Sequence, residues 1–257
     1  MPFIHYRKTP VHYKLSGNGP LLVLLHGFLE EESMWDELTP HLSKSFQCLR
    51  VDLLGHGKTG NLGYIHRMED QADMVDHLMT ELELSSGSFI GHSMGGYICL
   101  ALLEKYPDRV NKLCLMNSTA MADSDEKKVN RDRGIAAVKQ NHRTFIRLAI
   151  PNLFSDDNRQ KFKNEIEKVI EKALTMTPQG IVASLEGMKI RKDRTSFLKA
   201  FASNSLLIIA REDPALDFDS LIKLATMSHL KHTILEGGHM SHFENKESLL
   251  QAFDIFL

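Results

Sequence analysis

The chain has 257 residues, with 31 Lys+Arg against 33 Asp+Glu, and 42% of it is apolar, the balance of a globular chain able to bury a large core in one domain or one domain with an insertion. A formal net charge of −2 removes the electrostatic case for a nucleic-acid or anionic-membrane partner, which needs clustered Lys and Arg. The longest apolar runs, 21–25 and 206–210, fall far short of the roughly 20 residues of a membrane span. The opening Met1-Pro2-Phe3-Ile4-His5-Tyr6-Arg7 lacks the apolar stretch of a signal peptide, so a cytoplasmic enzyme is the expectation.

Apolar periodicity alternates between short strand-like runs and longer helical stretches, which predicts an α/β fold. Strands are expected at 3–7 and 11–15 as an antiparallel pair, then at 21–25, 46–51, 88–91, 112–116, 205–210 and 232–235. The later runs are nearly continuous in apolar character, as parallel strands covered on both faces require. Helices are expected at 34–42, 68–83, 94–105, 217–227 and 247–257. Cys48, Cys99 and Cys114 lie in apolar segments without metal-type spacing and read as small buried hydrophobes.

The alternation breaks between Asn117 and Thr195. Stretches 124–142, 143–150, 158–175 and 179–188 read there as amphipathic helices, punctuated by Pro151 and Pro178. Ligands bind outside the carboxyl ends of strands in open α/β sheets. The expected organisation is therefore a core of residues 1–117 and 195–257, with 118–194 inserted as a helical cap. The basic run 189–194 reads as a solvated hinge between them.

The sharpest chemical motif is Gly91-His92-Ser93-Met94-Gly95-Gly96, a G-x-S-x-G in strand–turn–helix context. So sharp a turn strains the serine backbone and leaves no room for side chains at 91 and 95. A serine hydroxyl needs an adjacent base, and in a nucleophile elbow the acid and then the histidine follow the serine along the chain. Glu236-Gly237-Gly238-His239 ends the last strand in a flexible turn, which makes His239 the expected base and His242 its rival. Asp213, in Arg211-Glu212-Asp213-Pro214, is the expected carboxylate. Glu212 competes with it, whereas Asp217 and Asp219 fall at a helix start, where capping explains them. The Met94 N–H and the Phe28 N–H, beyond the tight turn at Gly27, are the expected oxyanion donors.

These residues resemble the α/β-hydrolase superfamily, in its capped single-domain esterase, lactonase and C–C hydrolase branch. The likeness covers essentially the whole chain. It rests on His26-Gly27-Phe28, Asp52-Leu53-Leu54-Gly55-His56-Gly57, Gly91-His92-Ser93-Met94-Gly95-Gly96, Arg211-Glu212-Asp213 and Gly238-His239. It implies an eight-stranded, mostly parallel sheet with helices on both faces, and a triad of Ser93, Asp213 and His239 with Phe28 and Met94 as oxyanion donors. The chain departs from the family's pattern at Ala210, where relatives usually carry Gly, and at Lys58-Thr59, where a Ser commonly follows the Gly55-His56-Gly57 turn. Ser93 separates it from the haloalkane dehalogenases and epoxide hydrolases, which have Asp at that position.

Trp35, Met121, Met188 and Met240 are candidate pocket residues. Gly55-x-Gly57-x-x-Gly60 has dinucleotide spacing, but no helix is expected to open inside that loop, so it reads as a turn. No metal or organic cofactor is implied. The leading expectation is hydrolysis of a small or medium carboxylic ester through an acyl-enzyme. A C–C bond hydrolase or lyase acting on a keto acid is the alternative. It would need a convergent Arg/Lys pair in the cap, for which Arg131, Arg133, Arg143 and Arg147 are candidates on helices whose charged face reads as exposed. A ligand receptor with a retained triad is a third reading.

Overall fold

The computed structural model describes residues 2–257. Strands β1 (Phe3–Tyr6) and β2 (Thr9–Ser16) are joined by Arg7 and Lys8, both at positive φ (48° and 70°). That two-residue turn suits the right-handed twist of a hairpin. Six strands follow: β3 (Leu21–Leu25), β4 (Gln47–Val51), β5 (Gly87–His92), β6 (Val110–Met116), β7 (Ser205–Ala210) and β8 (Lys231–Leu235). They form one eight-stranded sheet in the order β1-β2-β4-β3-β5-β6-β7-β8. The β1–β2 and β2–β4 pairs are antiparallel and every other pair is parallel.

The eleven α-helices of the described residues are α1 (Thr39–Leu42), α2 (Met68–Glu81), α3 (Met94–Lys105), α4 (Asp125–Ala149), α5 (Asp156–Lys161), α6 (Lys163–Ala173), α7 (Pro178–Lys189), α8 (Thr195–Ala200), α9 (Phe218–Met227), α10 (Ser241–Glu244) and α11 (Lys246–Phe256). Successive strand residues feed opposite faces. Leu22 and Leu24 of β3 pack with Trp35, Leu38, Phe253 and Phe256, whereas Val23 and Leu25 join Met74, Val75, Ile98 and Leu102 of α2 and α3. This two-sided burial explains the unbroken apolar runs, each fully buried Leu or Val contributing about 1.5–3 kcal/mol of transfer free energy.

Local chemistry moves several helix boundaries from their expected places. Residues 34–42 form a 3₁₀ turn over Glu32–Trp35 and then the short α1, because Pro40 is tolerated only in a helix's first turn. The two stretches expected at 124–150 are halves of α4, which meet at an extended Asn141 (φ −160°, ψ 92°). The Asn141 side chain accepts from Thr144 N–H (3.1 Å) and so restarts the helix. The stretch 158–175 breaks at Phe162, whose ring packs toward Phe154 and the core, giving α5 and α6. No helix of the described residues is long and apolar enough to cross a membrane.

The register aligns Leu25 with Gly91, His92 with Met116, and Ala210 with Leu235. The loops leaving β3, β5, β6, β7 and β8 therefore emerge along one edge of the sheet. That edge carries Ser93, Asp213 and His239.

Candidate active site

At the turn from β5 to α3, Ser93 adopts φ 50°, ψ −113°, a conformation an L-residue keeps only when its surroundings hold it. The turn is too tight for side chains on either side. A Cβ on Gly91 would sit 2.5 Å from the Gly95 carbonyl carbon, and one on Gly95 would run into the Leu25 carbonyl. Ser93 N–H donates to Met116 O (2.9 Å), while its carbonyl accepts from Ser118 Oγ (2.7 Å) and Gly96 N–H (3.0 Å). Neighbouring strand ends thus hold the strained residue, and its side chain remains half-buried at a cavity wall.

His239 and Asp213 come from the loops after β8 and β7. His239 Nδ1 lies 2.7 Å from Asp213 Oδ2. An ionised carboxylate only accepts, so Nδ1 carries the proton of this bond. Asp213 Oδ1 accepts from the Ala215 and Leu216 N–H groups (2.9 and 3.1 Å), and Oδ2 from Asn117 Nδ2 (3.2 Å). Burial pushes the Asp213 carboxyl upward, but the adjacent His239, Asn117 and the Ala215 amide outweigh it and hold the group below the usual carboxylate range. Asn117, at φ 46°, follows β6 and could not serve as the acid, yet it donates to the acid.

Glu244 of α10 holds the His239 loop from the other side. Its Oε2 accepts from Gly238 N–H (3.0 Å), Asn158 Nδ2 (2.7 Å), Ser155 Oγ (3.0 Å) and Ser155 N–H (3.2 Å), tying the turn to the segment between β6 and β7. The rival histidine, His242, is fully buried and lines a different cavity from Ser93. Burial drives its pKa to about 3, so it is neutral at pH 7.

Glu30 and His92 form a buried ion pair between these loops. Glu30 Oε2 accepts from Gly27 N–H (2.7 Å) and lies 2.6 Å from His92 Nδ1; His92 Nε2 donates to the His239 carbonyl (3.0 Å). Both imidazole nitrogens face acceptors, which only an imidazolium satisfies. Burial opposes charge on both groups, but their mutual attraction prevails, lowering the Glu30 pKa and raising that of His92. One pair thereby joins the residue before Ser93, the turn before Phe28 and the backbone of His239. His26, on the other side of that turn, has a different balance: Nδ1–H donates to Gly27 O (2.7 Å) and Nε2 accepts from Leu53 N–H (2.9 Å), which defines a neutral ring.

Ser93, His239, Phe28, Glu30, Tyr97 and Met188 line one cavity of about 340 Å³, with Asp213 behind the imidazole. Neither Phe28 N–H nor Met94 N–H has a protein acceptor among the described residues. The other three expected pocket residues lie elsewhere. Trp35 is buried on the opposite face of the sheet among Leu22, Leu24 and Phe253, Met240 is packed into the core, and Met121 does not line the cavity, its carbonyl accepting from Arg191 Nε. A slightly larger cavity, about 390 Å³, lies across Glu30 against α6, but Ser93 does not reach it.

The wall opposite Ser93 is supplied by α4, where Lys127, Asn130, Arg131 and Gly134 share a face at helical spacing. Arg133, Arg143 and Arg147 are exposed, so of the expected arginines only Arg131 lines this cavity. The 189–194 run is not uniformly solvated. Arg191 is buried on Asp123 and over the Tyr97 ring, and Arg194 is buried between Glu69 and Glu104. Among the described residues no group of three or more His, Cys, Asp or Glu is placed to hold a metal.

The sequence profile of the alpha/beta hydrolase fold matches residues 20–246, and the chain belongs to that family. A thermophilic esterase from Thermogutta terrifontis, solved with malate bound, superposes with a TM-score of 0.89 at 28% identity, covering 96% of this chain and 92% of that one. The enol-lactonase from Burkholderia xenovorans LB400 shares the fold with a TM-score of 0.91 at 24% identity, over 99% of both chains. A pimeloyl-[acyl-carrier protein] methyl ester esterase from Nitrosomonas europaea is 33% identical over 109 residues. That match spans 42% of this chain and only 41% of the relative's length.

Proposed function

We propose that this protein is a serine hydrolase of small to medium carboxylic esters, working through an acyl-enzyme on Ser93. The observation that carries the reading is the Asp213–His239 pair, 2.7 Å apart, opening with Ser93 onto one cavity. His239 Nε2 takes the Ser93 proton as Oγ attacks the ester carbonyl, and Asp213 stabilises the imidazolium that forms. The Phe28 and Met94 N–H groups receive the oxyanion. His239 then protonates the departing alcohol and activates the water that releases the acid. The chain's own groups supply nucleophile, proton carrier and oxyanion donors, so the reaction draws on no cofactor.

A cavity of about 340 Å³ is at the small end of ligand pockets, about 300–1,000 Å³, which favours a compact substrate. In this reading residues 118–194 act as a cap on the core of 1–117 and 195–257, and the setting is the cytoplasm. A second reading, a C–C bond hydrolase acting on a keto acid, is favoured by one observation: Lys127 and Arg131 of α4 line the Ser93 cavity.

Steady-state hydrolysis of a p-nitrophenyl ester tests the assignment. Ser93→Ala should lower kcat by about 10⁴-fold or more, and undiminished turnover would refute it.

A further inference from the structure

Two guanidinium groups converge on one buried carboxylate at the α4 side of the cavity, with the Lys127 ammonium nearby. Arg191 Nη1 lies 2.5 Å from Asp123 Oδ1, and Arg131 Nε lies 3.1 Å from Asp123 Oδ2. Asp123 thus has both oxygens engaged by guanidinium groups, one of which, Arg191, is withdrawn against Tyr97 and the Met121 and Met188 carbonyls. Arg131 spends only Nε there and remains at the cavity wall. Lys127, one turn earlier on the same face, makes no ion pair among the described residues. Its ammonium donates only to the Ala215 carbonyl, at 3.3 Å.

The other carboxylates near Lys127, Asp213 and Asp217, make no ion pair with it. Asp213 is committed to His239, and the exposed Asp217 caps α9 through Ser220 N–H. Burial is the main cause that lowers the Lys127 pKa; Asp123 and Asp213 oppose it, and Arg191 and Arg131 lower it further. A partly buried ammonium with no carboxylate at contact distance is seldom left without a partner. Lys127, Arg131, Ser93 and His239 all line the same small cavity, so a ligand on Ser93 shares it with these cations.

We propose that Lys127 and Arg131 form a subsite for a carboxylate, and that the substrates are esters carrying a free carboxylate on the half that lies under α4. This rests on the Ser93 hydrolase reading and specifies its substrate class. The ammonium supplies a point charge and the guanidinium directed N–H donors, so a carboxylate gives Lys127 the partner it lacks and meets the Arg131 N–H groups not spent on Asp123.

The test compares kcat/KM within two matched pairs. The acyl-side pair is p-nitrophenyl pentanoate and the p-nitrophenyl monoester of glutarate; the alcohol-side pair is phenyl acetate and p-acetoxybenzoate. The wild-type protein should prefer the anionic member of one pair by tenfold or more, and the pair that responds tells which half carries the carboxylate. That ratio should fall at least tenfold in K127M/R131M and stay within threefold of wild type in the charge-conserving K127R/R131K. Should the double Met variant fail to fold, the single variants K127M and R131M give the same readout. Ratios at or below one for both pairs in the wild type, or a ratio unchanged by loss of the two charges, would overturn the subsite. Ser93→Ala run on the neutral esters separates the two ideas: turnover surviving that change would refute the Ser93 reading, whereas abolished turnover with an unchanged ratio would refute the subsite alone.

Discussion

The loops at the carboxyl edge of the sheet and the α4 wall facing them hold charge in opposite ways. At the sheet edge each ionised group has its partner: Asp213 accepts from His239, Asn117 and two amides, and Glu30 is matched by His92. On α4, Arg131 shares one carboxylate with Arg191, and Lys127 has no ion pair among the described residues. Paired charges anchored to backbone fix geometry, whereas an unpaired charge on a long side chain leaves capacity for a ligand. The first arrangement suits bond-making and the second suits selection.

The sharpest way to break this contrast is to unpair the sheet edge. Glu30→Gln leaves the His92 imidazolium buried without a counter-charge, which should cost about 3 kcal/mol or more of unfolding free energy. Removing the Lys127 charge at the half-buried wall should cost less than about 0.5 kcal/mol. Urea unfolding of the two variants measures both, and equal losses would erase the distinction.

A smaller effect comes from the neutral buried histidines. His56 and His242 have pKa values near 3 and His66 near 4, each depressed mainly by burial from 6.5. The unfolded chain therefore takes up protons below pH 6.5 that the folded chain refuses, and stability falls with acidification until those lower values are reached. His92, raised instead, is protonated in both states below 6.5 and adds no slope there. Between pH 6.5 and 4.5 the urea midpoint should drop, with a loss above about 1 kcal/mol per pH unit. A flat midpoint over that range would mean these rings are solvated.

The sheet was legible in the sequence because period-two burial on both faces leaves continuous apolar runs, as at Leu21–Leu25 and Ser205–Ala210. The G-x-S-x-G turn was legible because sterics at Gly91 and Gly95 admit no other residue. Glu30, Asn117 and Glu244 were not, since each acts through partners that only the sheet register brings close. Glu30 reaches His92 across 62 positions of chain, and Glu244 reaches Ser155 across 89. The Glu30-Glu31-Glu32 run hides the one member that bonds Gly27 among neighbours serving Lys172 and Lys14. Trp35 was placed near the pocket by its closeness in sequence to Phe28, yet the 3₁₀ turn carries it beneath the sheet. On α4, amphipathicity marked the charged face but could not tell that its Lys127 and Arg131 edge turns inward while Arg133 and Arg143 turn out.

Capture of the covalent intermediate tests the central claim most directly. Acid quenching during turnover of a p-nitrophenyl ester, followed by peptide mass mapping, should find the acyl group on the peptide containing Ser93 and none on the corresponding peptide of Ser93→Ala. An acyl adduct on another residue, or an equal adduct in the Ser93→Ala protein, would contradict the account.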